Sequence, residues 1–229
     1  MSQDLSNRFM AAMSTERDRL TSRRSLLSKS ALIGGGAALA LTAMPAFKAS
    51  AQSDVLPVDP YFATDIDVLN YALTLEHLEA TFYREGLAQF GSADFGSETI
   101  YPLLLVIRDH EAAHVDALTS VILDLGGEPV QEAVYDFGYS DVTSFLYTSA
   151  ALENTGVSAY IGASPSLAAL TYTPALVTSA LGILAVEARH ASFVGALLNN
   201  ADFQPYPNVV DSPLTPAEVL EIAGPFFVS

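Results

Sequence analysis

Cysteine is absent from this chain of 229 residues. Without a thiol, the protein has no disulfide to support its fold, and it cannot build a thiolate zinc site, an iron–sulfur cluster or a catalytic cysteine. The fold must therefore be held by a hydrophobic core, and any metal must be bound by nitrogen and oxygen ligands. The chain is long enough for one mid-sized domain with a full core.

Basic residues are scarce, and most of them lie near the N-terminus. Residues 1–51 contain seven of the ten Lys and Arg residues but only three of the 26 acidic residues. The rest of the chain has no lysine and a formal charge of −20. So acidic a protein repels phosphate backbones and anionic lipid, which argues against nucleic-acid binding and peripheral membrane attachment. The charge either attracts cations or only keeps the protein soluble.

The N-terminal segment has the pattern of a processed export signal. Residues 22–27 (SRRSLL) place paired arginines before an apolar run rich in Gly and Ala at residues 31–47, and residues 49–51 (ASA) match a signal-peptidase site. This resembles a twin-arginine signal peptide, so we expect an exported protein, periplasmic or extracellular, with no stable membrane attachment after cleavage. The alternative is an uncleaved anchor, but the run is shorter than the roughly 20 apolar residues of a membrane span.

Strand-like alternation is missing after residue 51, whereas four long stretches repeat apolar residues at steps of three and four. The sequence therefore predicts an all-α fold. We expect a signal peptide at residues 1–51, a four-helix bundle at residues 52–203 and a tail at residues 204–229. The four stretches cover residues 66–87, 104–125, 142–160 and 176–197.

Capping residues divide the chain in the same way. Thr64 or Asp65 is suited to begin the first helix, and Gly126 followed by Gly127 ends the second. The following link, to residue 140, is long enough to cross the bundle. Thr215 and Glu218 have the spacing of a capping box, which predicts a short fifth helix from about residue 216 to residue 223.

Six acidic and imidazole side chains occupy positions on these helices where core leucines would be expected. Two Glu-x-x-His pairs place a carboxylate and an imidazole one turn apart on one helix face, where both can bind one ion. Each pair follows a single glutamate, by 35 residues in the first half and 34 in the second. The six residues are Glu76, Glu111, His114, Glu153, Glu187 and His190.

Four carboxylates buried in an apolar seam need compensating positive charge, because an isolated buried ion is destabilised by several kcal/mol. Two divalent ions supply four positive charges, and two neutral imidazoles complete the coordination. A mixed set of oxygen and nitrogen ligands favours iron or manganese, with zinc also compatible. The sequence thus predicts two metal ions bound by the six residues.

Several neighbouring residues have two possible roles. Glu79 shares an apolar stripe with Phe82 and can replace Glu76 as the ligand from the first helix. His77 and His110 lie one position away from the predicted ligands, so we expect them at the rim or in solvent. Tyr83 and Tyr160 each lie seven residues after a ligand glutamate and are either plain core residues or hydrogen-bond donors to those carboxylates.

The order of the six residues resembles that of ferritin-like di-metal bundles, where single glutamates alternate with Glu-x-x-His helices. Residues 72–83 (ALTLEHLEATFY) and 187–190 (EARH) are similar to the exported ferritin-like domain family that includes plant desiccation-related proteins. The resemblance covers about residues 62–200. It implies a ferritin-like four-helix bundle with a long connection between the second and third helices.

The resemblance also implies a function. A di-iron or di-manganese centre of this class oxidises ferrous iron or handles dioxygen or peroxide in stress protection, and Tyr83 and Tyr160 would tune or quench radicals. The partners implied are metal ions, dioxygen or peroxide, and a homo-oligomer is possible. The alternative is a stress- or desiccation-associated bundle in which the metal has a structural role and no turnover occurs.

Overall fold

The computed structural model describes residues 61–198, 205 and 208–228. The predicted signal segment at residues 1–51 lies outside the described residues, and so do the predicted boundaries that follow residues 51 and 203. All that follows concerns the described part of the chain.

The described residues form helices joined by loops, as the sequence predicts. One isolated β-bridge, between Tyr135 and Phe227, is their only strand-like pairing. The fifth helix spans the residues that its capping box predicts, and a 3-10 turn, Gly224–Phe226, follows it. The helices are α1 Asp65–Gln89, α2 Ile100–Asp124, α3 Val142–Leu170, α4 Pro174–Leu198 and α5 Pro216–Ala223.

Side chains at the N-termini determine where three of these helices begin. Thr64 caps α1 in a reciprocal box with Asp67, and Asp141 and Thr215 make the same arrangement for α3 and α5. Each box satisfies backbone N–H groups that the first helical turn leaves free. Just after the C-terminus of α2, Gly126 adopts a φ of 81°, a left-handed conformation that glycine tolerates at a helix terminus.

The four long helices pack as a bundle. α1 packs against α2 and α3, while α3 packs against α4 and α5. The short link between α1 and α2 makes these two helices antiparallel neighbours. This arrangement turns one face of every long helix toward a shared interior, and the all-α four-helix prediction is confirmed.

The link between α2 and α3 runs along the outside of α1. Three residues of α1 spaced seven apart, Asn70, His77 and Arg84, hold it in place. Asn70 accepts a hydrogen bond from the Val130 backbone N–H at 2.8 Å, and His77 lies 3.2 Å from the Val130 carbonyl oxygen. Arg84 pairs with Glu132 at 2.7 Å. Since this link covers a second face of α1, that helix is buried on more than its bundle-facing side.

By length and composition, α4 is the one helix among the described residues that is long and apolar enough to cross a membrane. Its buried face nevertheless carries Glu187 and His190. The helix packs against α3 along its length. Its apolar character is therefore also that of a core helix in a bundle.

Candidate metal centre

The interior of the bundle contains a cluster of carboxylates and imidazoles, with contributions from all four long helices. The carboxylates belong to Glu76 on α1, Glu111 on α2, Glu153 on α3 and Glu187 on α4, and each of these residues has no exposed surface. The histidines of the two Glu-x-x-His pairs, His114 and His190, are 9% and 5% exposed. The structure therefore brings together all six residues singled out in the sequence.

Around His114, one ring nitrogen faces three carboxylates from three helices. His114 Nδ1 lies 3.1 Å from Glu76 Oε2, 3.2 Å from Glu111 Oε2 and 3.1 Å from Glu187 Oε1. An N–H group has one hydrogen, so it can satisfy one of these oxygens well and not three. The arrangement is that of ligand atoms around a common point.

His190 occupies the corresponding place on the other side of the cluster. Its Nδ1 lies 2.8 Å from Glu111 Oε1 and 3.5 Å from Glu153 Oε2. The six residues thus form two sets, in each of which the potential ligand atoms lie within 4.8 Å of one another. Glu111 and Glu187 belong to both sets. The first set adds Glu76 and His114, and the second adds Glu153 and His190.

Hydrogen bonding within the protein leaves this cluster incomplete. Among the described residues, five buried polar atoms of the centre have no hydrogen-bond partner, although buried polar atoms are rarely unpaired in folded proteins. The contact between His190 Nδ1 and Glu111 Oε1 is short, but its geometry is not that of a hydrogen bond. The five atoms are Glu111 Oε1, Glu153 Oε2, both oxygens of Glu187 and His190 Nδ1.

A bound cation would satisfy these atoms. Two ligand atoms that each lie about 2.1 Å from a metal and are at right angles to one another are about 3.0 Å apart. The distances from His114 Nδ1 and His190 Nδ1 to the carboxylate oxygens range from 2.8 to 3.5 Å, which includes that value. The donor set of carboxylate oxygen and imidazole nitrogen suits iron, manganese or zinc. The residues therefore fit a metal site.

Two tyrosines form hydrogen bonds between α1 and α3 to the glutamates of the centre. The Tyr83 hydroxyl on α1 donates to Glu153 Oε1 on α3 and lies 2.6 Å from the Ser149 hydroxyl. The Tyr160 hydroxyl on α3 donates to Glu76 Oε1 on α1 at 2.5 Å. Burial, followed by the charge of the glutamate that each contacts, raises the pKa of both tyrosines well above its ordinary value. Both phenols therefore keep their protons and act as donors.

The carboxylates of the centre resist ionisation when no cation is present. Burial raises the pKa of Glu76, Glu153 and Glu187. Burial acts in the same sense on Glu111, but the imidazoles of His114 and His190 outweigh it and lower the pKa of that group. In the centre without metal, negative charge is therefore favoured most at Glu111.

The two histidines show the complementary effect. Burial lowers the pKa of His190, but the charge of Glu153 and the contact with Glu111 outweigh it and raise the pKa to about 11. The pKa of His114 is likewise raised well above its ordinary value, because Glu76 and the neighbouring carboxylates outweigh burial. A metal that binds here must displace these protons.

Glu79 is a fifth buried carboxyl group, and it lies beside the centre. It is 3% exposed, and burial followed by the charge of Glu187 raises its pKa well above the ordinary value. A Cβ atom on Gly156 would lie 3.0 Å from Glu79 Oε1 and 3.4 Å from Glu187 Oε2. The sequence presents Glu76 and Glu79 as alternatives on two stripes. In the structure both are buried, and Glu76 is the one that belongs to a four-residue set.

Two histidines outside the six residues differ in their distance from the centre. His77 contacts the link between α2 and α3. His110 is half-buried, and its Nδ1 lies 3.0 Å from His190 Nε2. Sequence reasoning placed both at the rim or in solvent and missed this contact. One signal was available, since His110 precedes His114 by four residues and therefore lies on the same side of α2.

Comparison with known proteins gives one family. A family model described as ferritin-like domain matches residues 64–200, more than half of the chain. The matched region begins just before α1 and ends just after α4, so it contains all six residues of the centre. Comparison with curated proteins gives no matching relative.

Proposed function

The chain belongs to the ferritin-like domain family, and on that basis we propose that its buried centre holds two ions of iron or manganese and carries out redox chemistry on dioxygen or peroxide. The observation that carries the proposal is the group of five buried polar atoms that lack partners, all within two ligand sets that share Glu111 and Glu187. A purely structural polar network would pair these atoms with one another.

The charges of the residues support two divalent ions. Glu76, Glu111, Glu153 and Glu187 supply four negative charges, which two divalent ions balance while His114 and His190 remain neutral. Glu111 and Glu187 would contact both ions, whereas each histidine would contact one. This neutral sum removes the cost of burying four carboxylates in an apolar interior.

Two iron or manganese ions, when bound, supply the exchange of two electrons with dioxygen or peroxide. The protein's own residues set the conditions for that chemistry. The tyrosines hold protons on their hydroxyls against Glu153 and Glu76. The protonated tyrosines fix the carboxylates from the α1 and α3 side, and we propose that Tyr83 and Tyr160 also tune or quench radicals that arise in the centre.

The burial pattern favours a small substrate. The four ligand glutamates have no exposed surface, whereas the side chains of His114 and His190 are 11% and 6% exposed. The centre therefore comes nearest to solvent at its histidine edge, between α2 and α4. Dioxygen, hydrogen peroxide and a ferrous ion are small enough for such an edge.

Metal analysis and turnover measured on the same purified protein test the proposal. We expect about two iron or manganese ions per chain, with oxidation of ferrous iron by dioxygen or peroxide, or conversion of peroxide into dioxygen and water. Glu111→Ala should abolish both metal binding and turnover. Glu85→Ala, which removes an exposed carboxylate of α1, is the matched control and should change neither. Bound metal without turnover would support the structural alternative, and folded protein without metal would reject both.

The role of the two tyrosines requires a separate measurement. In Tyr83→Phe and Tyr160→Phe, turnover should be expressed per bound metal ion. A fall in this ratio supports a part in the chemistry. An unchanged ratio shows that the hydroxyls only hold the carboxylates of Glu153 and Glu76.

We also propose that the protein acts outside the cytoplasm, where it protects against oxidative stress by consuming peroxide or ferrous iron. The paired arginines at residues 23 and 24 and the small residues at 49–51 support export by the twin-arginine route. That route carries folded proteins, so the metal can be loaded before export. The mass of the exported protein should correspond to a chain that begins after residue 51. Replacing both arginines with lysine should leave the precursor inside the cell, and normal export of that variant would contradict the proposal.

A further inference from the structure

A half-buried histidine that is not among the six residues of the centre contacts one of its two histidines. His110 lies on α2 directly before Glu111, and its Nδ1 is 3.0 Å from His190 Nε2 on α4. The ring centres are 5.2 Å apart and the ring planes are 19° from parallel, so the two rings lie nearly in one plane with the two nitrogens facing each other. The contact joins α2 to α4 at the edge of the centre that is nearest to solvent.

The direction of this hydrogen bond follows from the other side of the His190 ring. His190 Nδ1 faces Glu111 and Glu153 at 2.8 and 3.5 Å, so Nδ1 is the atom placed to bind a metal. An imidazole that binds through Nδ1 carries its hydrogen on Nε2, and a protonated imidazole also has hydrogen there. In both cases His190 Nε2 donates and His110 Nδ1 accepts. Such an outer hydrogen bond selects the tautomer and the orientation of a ligand histidine.

The other half of the centre has no equivalent. The described residues give His114 hydrogen bonds at Nδ1 alone, to Glu76 and Glu111. On α4, the position directly before Glu187 is Val186, whose side chain has no acceptor atom. The two Glu-x-x-His pairs are therefore alike in their ligands and different in what supports the imidazole.

We propose that His110 is a positioning residue for His190, and that it makes the two ion positions unequal. The position formed by Glu111, Glu153, Glu187 and His190 binds its metal more tightly than the position that contains Glu76 and His114. This proposal rests on the proposed function, because it requires that the centre bind metal. Loss of an outer partner of a ligand histidine typically costs on the order of 10- to 100-fold in metal affinity.

Titration of the full, metal-free chain with Co²⁺ tests the proposal, since the visible absorption of Co²⁺ reports its coordination. In the parent protein we expect two separate steps. His110→Ala should weaken the tighter step by roughly 10- to 100-fold and leave the weaker step unchanged. His110→Gln, whose amide oxygen can accept the same hydrogen bond, should restore part of the affinity. Val186→Ala changes the matching, half-buried position on α4 and should alter neither step.

Each other result has a distinct meaning. A single step in the parent protein, or two steps that His110→Ala leaves unchanged, would overturn the inference while metal binding itself stood. Equal weakening of both steps would show a general structural effect and would also overturn it. No Co²⁺ binding by the parent protein would reject the metal centre together with the inference. If His110→Ala does not fold, as judged by helical circular dichroism, His110→Asn and His110→Gln provide the comparison.

Discussion

Tyr160 on α3 donates a hydrogen bond to Glu76 on α1, with 2.5 Å between the phenol oxygen and Oε1. A second hydrogen bond runs in the opposite direction between the same two helices, because Tyr83 on α1 donates to Glu153 on α3. Each helix thus supplies one glutamate and one tyrosine, seven residues apart, to a reciprocal pair. The outer oxygens of the two glutamates are held from the α1 and α3 side, and their other oxygens remain available to the centre.

Replacing Tyr160 with phenylalanine should destabilise the metal-free protein. The change leaves Glu76 Oε1 buried without its donor, and an unpaired buried polar group costs about 1–3 kcal/mol. Denaturant unfolding at constant pH measures the loss as a lower midpoint with an unchanged slope. Tyr172→Phe, at a tyrosine that is fully exposed, should leave the midpoint as it is. An unchanged midpoint in Tyr160→Phe would show that this hydrogen bond contributes no stability.

Glu111 and Glu187 belong to both ligand sets, which leads to a prediction about how many metal ions each variant binds. Glu111→Ala and Glu187→Ala each remove a residue that belongs to both ligand sets, so both ions should be lost to a similar extent. Glu76→Ala and Glu153→Ala each affect one set and should leave about one ion per chain. Elemental analysis of the four purified variants measures the difference. Equal loss in all four would contradict the division into two sets.

Gly156 provides space for the carboxyl group of Glu79. In Gly156→Ala the added methyl group would lie 3.0 Å from Glu79 Oε1, so the Glu79 carboxyl group must shift by a few tenths of an ångström, whereas the 3.4 Å to Glu187 Oε2 is an ordinary contact. We expect weaker metal binding, by roughly 10-fold, because Glu79 interacts with Glu187, which belongs to both ligand sets, and a shift of Glu79 therefore disturbs the coordination.

A second substitution identifies the cause. Glu79→Ala alone should spare the ligand sets, since Glu79 belongs to neither, and in combination with Gly156→Ala it should restore much of the lost affinity. Gly182→Ala on α4, where an added Cβ meets nothing within 4 Å, is the matched control and should retain full affinity. If the double variant binds metal as weakly as Gly156→Ala, contact with Glu79 is not the reason for the loss.

The metal-free protein should lose stability as the pH rises from about 6.5 to about 11. The pKa of His190 is raised from 6.5 in the unfolded chain to about 11 in the folded protein, so its contribution is complete below pH 6.5 and disappears as the pH passes through the folded value. His114 and the glutamates with raised pKa act in the same sense, because the folded state binds their protons more tightly.

Thermal unfolding at several pH values in the presence of a chelator measures this trend. Saturating Mn²⁺ should reduce or reverse it, because the metal replaces the protons and binds more tightly as they leave. A metal-free protein that becomes more stable between pH 7 and pH 10 would show that the buried groups do not hold these protons.

Local patterns predicted the elements of this fold well. Thr64 and Thr215 begin helices as predicted, because each side chain pairs with backbone groups only three residues away. Asp141 does the same for α3, although it was not singled out in the sequence. The fifth helix, only eight residues long, was identifiable from its capping box alone. Gly126 marks the end of α2 for a similar reason, since a positive φ is a local requirement that glycine meets at little cost.

The centre was predictable only in part. Helical spacing places Glu111 and His114 on one face, which is sufficient to propose them as ligands. It does not reveal that α3 leaves room beside Gly156 for a second carboxyl group of α1, and so the sequence presented Glu76 and Glu79 as alternatives. In the structure both are buried, and the space beside Gly156 is what admits the second carboxyl group.

The sequence alone determined that four long helices and a short fifth form, and that each Glu-x-x-His pair lies on one helix face, because these properties depend on neighbours within about one helical turn. Only the tertiary structure decided that Glu111 and Glu187 are common to both ligand sets, that the tyrosines bond across from α1 to α3, and that His110 supports His190. Those relations depend on the depth and rotation at which separate helices pack against one another. Helical periodicity fixes a side chain's direction within its own helix and leaves its distance from the next helix undetermined.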